Sequence, residues 1–246
     1  MAASSSLTPQ ELTGRARTHI VDVADPRCAV HREVVEPLQA LRAAAAREGF
    51  DLVPVSGFRD FDRQLAIWNG KCRGEREMLD REGRPLVAAC LAEPERVANI
   101  LHWSALPGAS RHHWGTEIDV IDASAWPAGK PVPLVPEAYA PGGPFAALNM
   151  WLDSNAVAFG FYRPYATDRG GVQPEPWHLS YAPVSVPALS GFTLTMLEEA
   201  VRSAQMELAA VVAAALPSIW QRYVVNVDAP PAALAADFSV PGSRPS

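Results

Sequence analysis

From Arg32 to Glu48 the apolar positions Val34, Leu38, Leu41 and Ala45 recur at helical spacing and Gly49 follows, which predicts a helix that stops there. The pattern then shortens. Leu52-Val53-Pro54-Val55-Ser56-Gly57-Phe58 reads as a short strand running into a glycine turn. Asp60 is suited to cap a helix through Asn69, with Phe61, Leu65 and Trp68 on one side. Lys71 to Arg84 is charged and irregular and reads as an exposed excursion, after which Pro94 to Trp103 looks helical. Glu117 to Asp122 alternates strictly. A strand there turns Ile118 and Val120 to one face and Glu117, Asp119 and Ile121 to the other.

Residues 124–144 are dense in Pro and Gly, which predicts a long surface loop. Phe145 to Phe159 is amphipathic and closed by Gly160, and Trp177 to Tyr181 reads as a strand. Thr193 to Val225 predicts one or two helices, broken or kinked at Pro217. Residues 1–18 read as a loosely held, flexible arm, and residues 229–246 as a frayed tail. Between them, 19–228 reads as a single α+β domain of short strands and segregated helices.

Composition narrows the classes. With 48% hydrophobic and 20% charged residues among 246, the chain has a soluble globular balance and apolar material for a core. A net charge of −6 argues against wrapping a nucleic-acid backbone, which needs a basic face. Three cysteines, Cys28, Cys72 and Cys90, are odd in number without paired spacing, so reduced thiols are expected rather than a disulfide framework. No stretch approaches the roughly 20 apolar residues of a membrane span, and Met1 to Arg17 lacks the apolar run of a signal peptide. The expectation is a cytoplasmic protein, or a periplasmic one if a leader has been removed.

Candidate chemistry concentrates in two stretches. Ser110-Arg111-His112-His113-Trp114-Gly115-Thr116-Glu117-Ile118-Asp119 holds a His and an Asp seven residues apart across a glycine. Glu175-Pro176-Trp177-His178 adds a His with a carboxylate three residues before it. Two imidazoles and one carboxylate are a common ligand set for catalytic zinc, with a fourth position left for water. His112, Asp119 and His178 are therefore the expected ligands, and His113 is the alternative to His112. Pro176 keeps Glu175 off an ordinary central strand and on the loop before it, where it could act as a base. Arg59, just past the Ser-Gly-Phe turn, is placed to fork onto a substrate carboxylate, with Gln64 and Ser110 assisting. His19, His31 and His102 read as structural.

Taken in order, Ser56-Gly57-Phe58-Arg59 with Gln64, Ser110-x-His112-x-x-Gly115-x-x-x-Asp119, and Glu175-x-Trp177-His178 resemble the zinc D-alanyl-D-alanine carboxypeptidases of the VanY type. Those enzymes share a fold with the Hedgehog signalling domain. The resemblance covers about residues 30–185. It implies a small antiparallel sheet flanked by helices, zinc on His112, Asp119 and His178, Glu175 as general base and then acid, and Arg59 either on the substrate's terminal carboxylate or steadying the oxyanion, with Ser110 and Gln64 assisting. The implied substrate is a peptidoglycan stem peptide or muropeptide, cut by D,D- or L,D-carboxypeptidase action. A peptidoglycan endopeptidase and a non-catalytic zinc-stabilised binding module are the alternatives. Glu117 stands where the family commonly has a small residue. The 124–144 loop and the helices over 193–225 look like additions.

Overall fold

In the computed structural model, which describes residues 6–235, the chain is packed from its first turn. Thr8 caps helix α1 (Pro9–Leu12) through a reciprocal box with Glu11, and Leu12 is buried. Trp114 donates its indole N–H to the Leu12 carbonyl at 3.1 Å. Gly14, at φ +74°, lies so close to the His113 ring that a Cβ would collide with it. The arm expected over residues 1–18 is thus corrected to a docked segment wherever it is described; residues 1–5 lie outside the described residues. A single buried leucine and a few backbone contacts anchor it, too little to leave a periodic signature.

Next comes a hairpin of β1 (Ile20–Ala24) and β2 (Arg27–His31), which the pattern did not predict. Helix α2 (Val35–Arg47) buries Leu38, Leu41 and Ala45, as the spacing requires. Strand β3 (Leu52–Ser56) leads to α3 (Phe61–Cys72), where the Asp60 carboxylate accepts the Arg63 N–H at 2.8 Å. Lys71 therefore ends a helix instead of opening an excursion. Beyond it, β4 (Met78–Leu79) and β5 (Pro85–Leu86) form a small hairpin that buries Met78. The expected exposed excursion is corrected there too, because two apolar residues amid many charges are too few to show a period. Helix α4 (Glu93–Trp103) follows.

Strand β6 (Glu117–Asp122) is buried at all six positions. After it, α5 (Pro136–Tyr139) and α6 (Ala146–Asn155) precede β7 (Phe161–Tyr162) and β8 (His178–Tyr181). These strands make one antiparallel sheet of order β3-β6-β8-β7. Ile118, Val120 and Leu179 pack with Leu38 and Leu41 of α2 and Leu148 and Leu152 of α6. Tyr139 is buried against Phe145 and Trp177 and donates its hydroxyl to the Val120 carbonyl at 2.8 Å. The Pro-rich 124–144 segment is therefore partly packed over the sheet, not a surface loop throughout.

Helix α7 (Ala182–Gly191) was also absent from the pattern reading; it carries Pro187 inside and little polar contrast. Helices α8 (Leu194–Arg202) and α9 (Ala209–Ile219) follow, the latter widening into a π-helical turn over Trp220–Val224. The break falls between them, with Leu208 at φ +59°, whereas Pro217 lies inside α9. Proline has no N–H to give the helix, and the π-helical turn begins three residues beyond it. With α3, α4 and α7, these helices enclose a second core around Trp68, Ile100, Leu101, Phe192, Leu197 and Leu216. A last short helix, α10 (Ala232–Ala235), begins the expected tail; residues 236–246 lie outside the described residues. All three cysteines are free, and no described helix is long and apolar enough to cross a membrane.

Burial holds His31 neutral down to about pH 4 and His113 to about 3, against an ordinary value near 6.5. The unfolded chain takes up those protons near 6.5, so its free energy falls relative to the fold as pH drops toward 4. In urea titrations from pH 7 to 4, the wild type should lose stability relative to a His31→Gln variant through that window. Parallel curves would remove His31 from the account.

Candidate active site

Antiparallel pairing of β6 with β8 sets Asp119 directly opposite His178. Their side chains meet, with His178 Nδ1 3.1 Å from Asp119 Oδ1. His112 reaches the same point from a 3₁₀ turn (Arg111–Trp114), its Nε2 3.4 Å from Asp119 Oδ2. Gly115 ends that turn at φ +66°, and a Cβ on it would collide with Ile20 and lie 2.7 Å from the His31 nitrogen. Only glycine permits that approach to the β1–β2 hairpin. One ligand atom each from buried His112, Asp119 and His178 lies within 4.8 Å of the other two. Two imidazole nitrogens and a carboxylate oxygen so gathered fit a divalent cation.

Both imidazoles are oriented from behind. His112 Nδ1 lies 2.8 Å from the Gly57 carbonyl, which can only accept, so Nε2 is left bare toward Asp119. His178 Nε2 lies 2.8 Å from Glu117 Oε2, which reserves Nδ1 for Asp119 and a cation. Glu117, fully buried, also accepts from Ser180 at 2.8 Å and Thr116 at 3.1 Å, and pairs with the Arg111 guanidinium at 3.1 Å. Burial opposes its charge, yet Arg111 and His178 hold its pKa down to about 2. Asp119 sits at about 2 for the same kind of reason: burial is outweighed by His112 and His178. At His178, burial is outweighed by bonds to Asp119 and Glu117, which raise its pKa to about 10. The carboxylates select positive charge at this point.

Glu175 stands on the loop before β8, its N–H bonded to the Tyr165 carbonyl at 2.9 Å. Its carboxylate lies 3.5 Å from His178 Nδ1. Burial, with Asp119 adding to it against the pull of His178, lifts its pKa to about 7. A carboxyl poised near neutrality can both take and return a proton. Arg59, Ser110, His112, Asp119, Glu175 and His178 all line one cavity of about 290 Å³.

Residues 27–184 match the family model described as "VanY: D-alanyl-D-alanine carboxypeptidase". The chain belongs to the VanY family. It is therefore an enzyme of the carboxypeptidase class, and the matched span agrees with the 30–185 expected from the motifs. A relative from Haemophilus influenzae, named only "Uncharacterized protein", is 43% identical over 103 residues, 41% of this chain and 70% of its own length. The "D-alanyl-D-alanine carboxypeptidase" of Enterococcus faecalis is 29% identical over 147 residues, 58% of this chain and 45% of that one. Among solved structures, "VanYB in complex with D-Alanine-D-Alanine" superposes with a TM-score of 0.50 at 21% identity, covering 83% of this chain and 93% of that one. That likeness bears on the fold alone.

In this VanY-family chain, His113 is not a competing ligand. Its Nδ1 lies 2.6 Å from the Arg59 carbonyl and its Nε2 accepts the Gly108 N–H at 3.1 Å, so both nitrogens are occupied and it clamps the backbone of Arg59. Gln64 is likewise corrected. Fully buried, it accepts from Arg59 at 2.8 Å and donates to the Ala105 carbonyl at 2.7 Å, and it does not line the cavity. It orients Arg59 rather than touching a ligand. Arg163 pairs with Asp153 and Asn149. The cavity wall also holds Lys71, Arg111, Tyr165 and Trp103, none of which the motifs selected. Lys71 lies twelve residues past Arg59, and its neighbours along the chain carry no signal.

The loop bearing Tyr165 and leading to Glu175 is held from beyond the matched span. The Asp228 N–H donates to the Pro164 carbonyl at 2.9 Å, and the Asp228 carboxylate accepts from the Thr167 N–H and hydroxyl at 2.8 Å each. Arg222 donates to the Gly170 carbonyl at 2.5 Å. Asp228→Ala should lower kcat while leaving metal affinity intact, measured by turnover beside chelator competition; unchanged kcat would show that the loop holds its shape alone. Glu117→Gln should weaken metal binding about 10- to 100-fold. An unchanged dissociation constant in the same competition would mean that the bond to His178 does not tune the ligand.

Proposed function

We propose that this VanY-family enzyme is a zinc-dependent peptidoglycan carboxypeptidase that releases the C-terminal D-alanine from muropeptide stem peptides. His112, Asp119 and His178 are assigned as the zinc ligands, Glu175 as general base and acid, and Arg59 with Ser110 as the grip on the terminal carboxylate. Gln64 positions Arg59. The name of the solved neighbour, VanYB bound to D-Ala-D-Ala, supports a substrate of this kind. The observation that carries the reading is Glu175, an acid 3.5 Å from His178 in the same cavity as Arg59.

Zinc bound there would supply a Lewis acid for the scissile carbonyl and acidify the attacking water. Glu175, with its pKa near 7, takes a proton from that water and returns it to the departing amine. Arg59 is partly buried, donates to Gln64 and Ser56, and stays cationic although burial lowers its pKa. A guanidinium so braced grips a planar carboxylate without losing much side-chain freedom. It thereby holds the last residue of a chain, as an exopeptidase must. The cavity walls, including Trp103, Tyr165 and Trp177, exclude bulk water around the reacting groups.

Purified protein should release D-alanine from stem pentapeptide (D,D-cleavage), tetrapeptide (L,D-cleavage) or both, and a chelator should stop it. No D-alanine from either would sink the reading. Glu175→Gln should cut kcat at least about a hundredfold with zinc retained, the scale of a lost general base. Arg59→Ala should raise KM for free-ended peptides strongly. If it instead leaves KM untouched and cross-linked peptides are cut internally, the endopeptidase alternative takes over.

A further inference from the structure

Lys71 occupies the last turn of α3 and lines the same cavity as Arg59 and Glu175. Arg59 is engaged by Gln64 and Ser56, and Arg111 by Glu117, Ser180 and Tyr162. Among the described residues the Lys71 ammonium makes neither a hydrogen bond nor an ion pair; longer-range attraction to Glu77 and Glu175 reaches it, against repulsion from Arg76 and Arg59. Ile67 lies one turn back on α3, and Leu79, Trp103 and Val172 line the same cavity. The ammonium keeps contact with solvent and has no fixed protein partner, which leaves it open to an incoming anion.

Two quantities say what that anion is. Helix α3 rises about 15 Å between Phe61 and Lys71, and helical side chains lean back toward the N-terminus. Arg59 just before the helix cap and Lys71 in its last turn thus enter the cavity wall at two places, which offers a ligand two positions for negative charge. Charge gives the same count. Arg59 and Lys71 balance Asp119 and Glu175, and Arg111 balances Glu117, so a divalent ion leaves the cavity with two positive charges in excess. A terminal carboxylate cancels one of them.

Resting on the proposed function above, we propose that Lys71 is a second anion anchor, selecting stem peptides whose third residue carries a free side-chain carboxylate. In such a peptide the third residue adjoins the scissile bond of a tetrapeptide, or lies one residue further back in a pentapeptide. A meso-diaminopimelate residue there presents a carboxylate beside its own ammonium, whereas lysine presents an ammonium alone. Lys71 would attract the first and repel the second.

Binding is read by calorimetry on zinc-loaded Glu175→Gln protein, so that peptide is not consumed, and kcat/KM is read on the wild type. The diaminopimelate peptide should bind about tenfold or more tightly than the lysine peptide, the scale of one charge-assisted hydrogen bond. Adding Lys71→Met should collapse that ratio toward one, Lys71→Glu should invert it, and Lys71→Arg should retain it. Replacing D-glutamate by D-isoglutamine at the second stem position should change nothing. Equal affinity for both peptides, an equal loss on both in Lys71→Met, or a loss confined to the isoglutamine peptide would each overturn the assignment. Turnover of both peptides without preference defeats this inference alone. Failure to release D-alanine from any peptide defeats the proposed function with it.

Discussion

The pairing that puts Asp119 opposite His178 is the constraint on which the rest of the site hangs. A slip of one residue in β6 would exchange its faces, sending Asp119 into the packing of Ile118 and Val120. In the observed register Glu117 falls opposite Ser180 on the same face as Asp119, so it reaches His178 from the other side. One strand pairing therefore supplies two of the three groups that could hold a metal and the carboxylate that orients one of them. The cost is a buried ion pair between Arg111 and Glu117, which desolvation makes expensive and which close hydrogen bonding to Ser180 and Thr116 offsets. Such an interior serves the placement of charge more than stability.

Two of the three apolar clusters among the described residues carry the elements of the site, and the boundary between them is its seam. One lies under the sheet, among α2, α6 and the inward faces of β6 and β8. The other is helical and carries α3, the element that presents both Arg59, just before its cap, and Lys71, in its last turn. The metal-ligating groups and the cationic groups thus belong to different packing units. Their relative position is set by contacts across the seam, among them the Arg59 N–H on the His112 carbonyl at 3.1 Å and His113 on the Arg59 carbonyl at 2.6 Å. His113 earns its place as the clamp between them.

Much of the fold was legible where one face is buried and the other is wet. Helix α2 and strand β6 follow their periodicities, and α3 begins at the expected cap. The reading failed where anchoring is sparse or contrast is low. The N-terminal segment is fastened by Leu12 and Gly14 rather than by a stripe of apolar residues. Helix α7 is apolar nearly all round and broken by proline in sequence. The β1–β2 hairpin lies in a stretch with too little alternation to be read as paired strands.

The motifs alone determined which residue types gather: two histidines and an aspartate at ligand spacing, a glutamate held off its strand by proline, and an arginine after a turn. These were readable because chemistry of this kind demands particular side chains at short separations along the chain. Only the tertiary structure decided that His113 turns inward, that Gln64 serves Arg59, that Arg111 neutralises Glu117, and that Lys71 enters the cavity. Each depends on which groups approach from distant segments, and burial and hydrogen-bond partners of that origin leave no trace in local spacing.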